Sequence, residues 1–188
     1  MPAYRTAEEL LAFEPALRDA PKDIGTLELV VRRPAVGERE VLEEGRLSFA
    51  EGLVGDSWRS RGSRLTADGS AHPDSQLNVM SARMVEFLAG DPDRRALAGD
   101  QLYIDLDLSH DNLPAGSRLS IGDAVIEVTE KPHLGCEKFV ARFGAEAMRF
   151  VNSRTGRAMR LRGFNAKVVV EGTVRPGDKV MKLETPAP

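Results

Sequence analysis

The spacing of apolar side chains changes period near residue 25. Upstream, Thr6-Ala7-Glu8-Glu9 has the form of a capping box, a threonine hydroxyl followed three residues later by a glutamate that can reach back. It predicts a short amphipathic helix to about Arg18, with Leu10, Leu11, Phe13 and Leu17 roughly on one side, and "APKDIG" as a linker. Residues 1–24 therefore read as an N-terminal helix or extension, peripheral to the rest of the chain. From Gly25 the period becomes two: "TLELVVRRP" alternates and ends at a proline, a strand signature.

Further on, "EVLEEGRLSFAEGLVGD" suggests strands interrupted by glycines, and "SWRSRGSRLTADGSAHPDSQ" is largely loop. "QLNVM" fits a short buried strand. Ser81 then caps a helix, "ARMVEFLAG", closed by Gly90 and the turn "DPDRR". "AGDQLYIDLDL" places Leu102, Ile104, Leu106 and Leu108 on one face and Asp105 and Asp107 on the other. "SRLSIGDAVIEVTEKP" is a pair of alternating runs about Gly122-Asp123. "CEKFVARFG" is helical with a glycine stop, "AEAMRFVNS" continues as helix, and "NAKVVVEGTVRPGDKVMKL" reads as two strands around a turn. Many short strands with few helices, no regular βαβ alternation and no internal repeat imply a mainly β or α+β domain of barrel type over residues 25–183, with a flexible tail at 184–188.

Composition narrows the function classes. An apolar fraction of 41% and a charged fraction of 29% are ordinary for a soluble globular chain of 188 residues, long enough to bury a core without staples. No apolar run approaches the roughly 18 residues that span a bilayer, and the charged N-terminus has no apolar signal core, so a cytoplasmic protein without membrane contact is expected. Aromatic residues at 5% argue against a stacking platform for single-stranded nucleic acid. The net charge of −3 is unevenly spread. Lys131 to Lys167 holds nine basic and two acidic residues, a local +7 against −10 for the remainder. Such an excess focuses field on anions. Its charges are broken by "FVARF", "AMRFV" and "AMRLRGF", pieces of packed elements, so nucleic acid is not the expected partner.

Most familiar motifs are missing. "DLDLSHDNLPAG" places Asp105, Asp107, Ser109 and Asp111 at calcium-loop positions, but His110 stands where glycine is needed and Gly116 where a glutamate is needed. His72, His110 and His133 match no zinc spacing. Walker, dinucleotide and nucleophile-elbow signatures do not occur. What remains is one cysteine, in "EKPHLGCEKF". A lone thiol forms no internal disulfide, and by default it is a small packing residue. Pro132 and Gly135 instead place Cys136 at a strand-to-helix junction with Lys138 two residues on, a setting that favours thiolate over thiol. A thiolate can ligate a soft metal or act as a nucleophile. His133 could donate to it or to a bound anion, or cap a turn.

The ordered set "GLVGD", "AGDQLYIDLDLS", "NLPAGSRLSIGDAVIEVTEKPHLGC", "KFVARFG" and "RLRGFNAKVVVEGTVRPGD" resembles a stand-alone MOSC domain, the domain named for the C-terminal part of molybdenum-cofactor sulfurases. The resemblance implies a strand-rich barrel with a cysteine at its functional centre. In reductase-type members that cysteine ligates molybdenum in a pterin cofactor, and in sulfurase-type members it carries sulfur as a persulfide; Cys136 matches the position. Molybdenum accepts thiolate, and a pterin phosphate needs cations, for which Lys138, Arg142, Arg160 and Arg162 are candidates. Asp100 and Gln101 lie where relatives have a cofactor-contacting Gly-Glu-Asn segment, and His133 joins the cofactor-binding set. The His-His-Gly-Gly stretch of some bacterial reductase-type relatives survives here only as His72-Pro73-Asp74 in part. The expectation is a protein that binds molybdenum cofactor through Cys136. It would reduce N-oxygenated small molecules with an external electron-transfer partner, or relay sulfur from a donor. The alternative is a persulfide carrier without redox catalysis.

Overall fold

The computed structural model describes residues 4–184. Apart from Glu184, the tail expected at 184–188 lies outside the described residues. Seven strands close a mixed barrel in the order β1 (Ile24–Arg32), β6 (Leu102–Asp105), β5 (Leu77–Ser81), β9 (Phe164–Val170), β8 (Ala124–Val128), β7 (Arg118–Ile121) and β11 (Lys179–Leu183). The ring shuts where β1 meets β11, with Ile24 opposite Met181 and Thr26 opposite Lys179. An extra strand, β2 (Glu40–Leu42), lies on the far part of β1. A three-stranded sheet of β10 (Gly172–Val174), β3 (Gly45–Ser48) and β4 (Gly52–Leu53) completes the β structure. The last segment thus forms three strands rather than the two its pattern suggests.

Two apolar cores result. Leu27, Val30, Leu102, Ile104, Leu119 and Ile126 fill the barrel, while Leu29, Val31, Met80 and Tyr103 point outward under the helices. In β1 the strict alternation fails. A register shift between Leu27 and Leu29 makes Glu28 an extra residue, so Leu27 and Val30 face in while Leu29 and Val31 face out. A bulge changes the phase of a strand in this way, and period-two reading cannot see it. Leu106 and Leu108 stay in the barrel core as expected, although β6 itself ends at Asp105.

Helices cover one side. α1 (Ala7–Arg18) starts with the full capping box: Glu9 N–H donates to the Thr6 hydroxyl, and Thr6 N–H donates to the Glu9 carboxylate. Its Leu10 and Leu17 are buried, and Phe13 stacks on Phe87 at 4.0 Å between ring centroids. Leu11, expected on the same side, is exposed. α3 (Ala82–Ala89) is capped by Ser81 and stopped by Gly90 in the left-handed region. It joins β5 to β6, which are parallel, so the barrel holds one βαβ crossover. α4 (Glu137–Asn152) follows Cys136, and α5 (Arg154–Ala158) leads back to β9. α4 is broken at Gly144 (φ 88°, ψ 165°), the glycine read as a stop. No helix among the described residues is long and apolar enough to cross a membrane.

Candidate functional site

Cys136 ends an extended segment, 131–136, that leaves β8 and enters α4. Asparagine side chains hold that segment in place of a strand partner. Asn165, at the start of β9, donates from Nδ2 to the carbonyls of Lys131 (3.0 Å) and Pro132 (3.1 Å). Asn152, at the far end of α4, pairs with Gly135 on both sides. It accepts from Gly135 N–H at 2.9 Å and donates to the Gly135 carbonyl at 3.0 Å, as a strand partner would. Between these clamps His133 turns inward, and Cys136 stands exposed at the helix start.

The thiol lies on a cleft of about 520 Å³. Six cations line it: Arg33, Arg39, Arg61, Lys138, Arg142 and Arg162; no carboxylate does. Two of the six are already matched from below. Arg33 makes a bidentate pair with buried Asp56 (Nε to Oδ2 2.8 Å, Nη2 to Oδ1 2.9 Å) and donates from Nη1 to Asn78 Oδ1 and the Gly99 carbonyl. Asn78 passes the connection on, Nδ2 to Asn165 Oδ1 at 2.6 Å, so one network ties the Arg33–Asp56 pair to the cysteine segment. Arg162 donates from Nη1 to both oxygens of Asp100 and lies over the Phe139 ring, 5.1 Å from its centroid.

The other four, Arg39, Arg61, Lys138 and Arg142, form no ion pair among the described residues. Arg39 Nη2 and Arg142 Nη1 would stand 3.0 and 3.2 Å from a methyl placed on Gly99, so a side chain there would push against both guanidiniums. Burial, then Arg142 and Arg33, lower the Arg39 pKa, and burial and Arg33 lower that of Arg61, the signature of like charges held together. The Nε atoms of Arg39 and Arg162 are buried with no hydrogen-bond partner. An orphaned buried donor costs about 1–3 kcal/mol, which a bound acceptor would recover.

Asp100 and His133 form the floor. Burial would raise the carboxyl pKa of Asp100, but the adjacent positive charge outweighs it and the carboxylate stays ionised. His133 Nε2 is 2.6 Å from Asp100 Oδ1. Burial, reinforced by Arg162, lowers the His133 pKa, so the ring is neutral near pH 7 and Nε2–H donates to Asp100. Nδ1 is left as the acceptor.

Of the residues singled out in the sequence, the cleft gathers Cys136, His133, Lys138, Arg142 and Arg162, with Asp100 beneath them. Two do not arrive. Gln101 is wholly buried and ties β5 to its neighbour, donating to the Gln76 carbonyl and accepting from Asn78 N–H. Arg160 lies in a separate cavity. Sequence reasoning missed Arg33, Arg39 and Arg61, which come from "RRPAVGER" and "SWRSRGSR". Arginines set among Gly, Pro and Ser in loops were the available signal.

A single exposed thiol thus stands in a cation-lined cleft on a closed barrel. The MOSC domain family model matches residues 66–181. The chain belongs to the MOSC domain family. YuaD from Bacillus subtilis superposes with a TM-score of 0.63 at 15% identity, covering 86% of this chain and 97% of that one. YiiM from Escherichia coli gives 0.54 at 20% identity, over 87% and 72%, and YiiM from Geobacillus stearothermophilus gives 0.52 at 15%, over 88% and 75%. These likenesses establish the fold. Among curated proteins nothing matches the sequence.

The family is associated with molybdenum cofactor, and the donor set of this MOSC domain fits it. No group of three or more His, Cys, Asp or Glu side chains among the described residues is placed to hold a bare ion, and Cys136 is the sulfur donor that the cleft would offer to a metal carried within a larger ligand. A pterin phosphate would meet four cations without acidic partners.

Proposed function

We propose that this MOSC domain binds molybdenum cofactor in the cleft, with Cys136 as the protein's ligand to the metal, and reduces N-oxygenated small molecules or relays sulfur. One observation carries the reading: an exposed thiol shares a carboxylate-free cleft with four cations that have no acidic partner. Arg39, Arg61, Lys138 and Arg142 would hold the phosphate, and the unpartnered Nε of Arg39 would find its acceptor there. When bound, the group would supply a metal that takes the oxygen atom from the substrate and gives up two electrons, which an external electron-transfer partner would restore with two protons as the oxygen leaves as water. His133 contributes a proton site. With Nε2–H fixed on Asp100, Nδ1 is the atom that takes up and passes on a proton at the cleft wall. Asn152 and Asn165 hold the cysteine segment so that the sulfur does not drift from the cations.

The test is elemental. Protein made in a host that synthesises the cofactor is expected to carry molybdenum and to release a fluorescent pterin on oxidation, and Cys136→Ser is expected to lose most of the metal. A Cys136→Ser protein with full molybdenum overturns the assigned ligand. A wild-type protein free of molybdenum that gains one sulfur by intact mass after treatment with a sulfur donor moves the reading to the persulfide carrier, which the exposure of Cys136 equally permits.

A further inference from the structure

A second cavity, of about 260 Å³, opens on the other side of the cysteine segment. It is far larger than the space one water needs, and it falls just under the roughly 300 Å³ at which pockets for drug-sized ligands begin. Its size suits a small molecule. The walls are of two kinds. Pro132, Leu134, Val151 and Phe164 give it an apolar body, and Arg160, with Arg157 nearby, gives it a cationic end beside the His110 ring, whose pKa burial and Arg160 lower.

Arg160 is the unusual member. Its side chain is about nine-tenths buried, it forms no ion pair among the described residues, and burial lowers its pKa. Its Nη1 donates to the Leu113 carbonyl, and its guanidinium sits over the Phe164 ring, 5.8 Å from the centroid. Its backbone is strained as well: at φ 49° it is the one non-glycine residue among the described ones with positive φ. Strain of this kind costs about 1–3 kcal/mol and persists where the surroundings require the geometry. Here it turns the chain from α5 into β9, Gly163 N–H donating to the Arg160 carbonyl at 2.7 Å, and carries the guanidinium inward. A buried cation without a counter-ion is costly to keep, unless an anion completes it.

We propose that this cavity is a binding pocket for a small planar carboxylate, with Arg160 receiving the carboxyl group and Phe164, Val151 and Leu134 enclosing the apolar body. A monoanion suits it better than a phosphate. Arg160 is the cavity's one buried cation without a counter-ion, since Arg162 is spent on Asp100 and Arg157 is exposed; part of the Arg160 hydrogen-bonding capacity is spent on Leu113, and Glu130 stands at the lining. The cleft on the Cys136 side, with four cations that have no acidic partner, is the one suited to a phosphate. His133 and Arg162 line both spaces, so the two pockets share a wall. The assignment does not depend on whether the cleft holds a pterin.

The experiment is a titration of the whole chain with benzoate, with benzyl alcohol as the uncharged match, followed through the His110 ring-proton resonance and by calorimetry. Saturable binding of benzoate and none of benzyl alcohol is expected. Arg160→Met is expected to weaken benzoate at least ten-fold, while Arg142→Met leaves it unchanged. Leu134→Trp, made at a half-exposed position on the lining, is expected to close the pocket without touching the buried guanidinium, and it decides the matter if Arg160→Met does not fold. Equal binding of the alcohol, loss of benzoate binding in Arg142→Met but not in Arg160→Met, or a Leu134→Trp protein that binds normally would each overturn the assignment.

Discussion

At the scale of single residues, the stability of the site turns on Asp100. Its carboxylate is fully buried and faces Arg162 and His133, so removing its charge leaves Arg162 buried without a counter-ion. Breaking such a pair from one side costs about 3–5 kcal/mol, whereas replacing both partners by apolar groups costs far less. Asp100→Asn is therefore expected to lower the unfolding free energy by about that amount, and Asp100→Asn with Arg162→Met to recover part of it in a double-mutant cycle of denaturant melts. Acid acts on the same pair. The folded pKa of Asp100 lies below its ordinary 3.8, so the stability it contributes is present above that value and lost as pH falls through the folded pKa. The folded pKa of His133 lies below its ordinary 6.5, so the unfolded chain binds the proton first and stability falls as pH drops below 6.5. The melting temperature should thus decline from pH 7 to pH 5, above the ordinary carboxylate range, and His133→Asn should lessen that decline, the remainder coming from His110, whose pKa burial also lowers. A flat wild-type profile over this range would mean that the ring is not held neutral.

At the scale of elements, the residues that carry the chemistry were easier to read than those that hold them. Cys136, Lys138 and the glycine stop at Gly144 are local features, and the strand-to-helix junction announced itself through Pro132 and Gly135. Asn152 and Asn165 gave no signal, because an asparagine that substitutes for a strand partner is recognisable only once the fold places it beside that backbone. The bulge at Glu28 and the parallel β5–β6 pair were hidden for a similar reason: both are facts about a partner strand. The break in α4 makes the consequence testable. Gly144 adopts φ 88°, ψ 165°, a region nearly closed to other residues, and a methyl group there would stand 3.0 Å from the Tyr4 ring. Gly144→Ala is expected to cost about 1–3 kcal/mol. By favouring a continuous helix it should also swing the first part of α4, with Lys138 and Arg142, away from Arg39. Weaker binding of pyrophosphate alongside the lower melting point would support this account, and unchanged binding would show that the cations do not depend on the break.

At the scale of the whole molecule, the uneven charge seen along the chain is redistributed by the fold. Of the nine basic residues between Lys131 and Lys167, Lys138, Arg142 and Arg162 reach the cleft. Arg149 and Lys167 are spent on Glu146 and Glu127, Lys131, Arg157 and Arg160 line the second cavity, and Arg154 lies at neither. The cleft recovers its charge from afar, drawing Arg33, Arg39 and Arg61 from the chain after β1 and around α2 (Trp58–Arg61). The barrel is what permits this, since its closure through β1 and β11 fixes the start of the Arg33 loop against the connection before β6 that carries Asp100 and against β9, which carries Asn165. A carboxylate-free cleft with six cations on a chain of net charge −3 is then an isolated positive site on a negative body. Field from such a site reaches about one Debye length, roughly 8 Å at physiological ionic strength, and steers anions whose on-rate it can raise by about 10-fold or more. The association rate of pyrophosphate should therefore fall by about ten-fold from low salt to well above physiological ionic strength, while dissociation, governed by short contacts in the cleft, changes less. Arg39→Gln and Arg142→Gln should each reduce the salt dependence as well as the affinity. Arg149→Gln, whose charge is already matched by Glu146 on the exposed face of α4, should leave both as they are. Equal effects from all three would mean that net charge, rather than the cleft, gathers the anion.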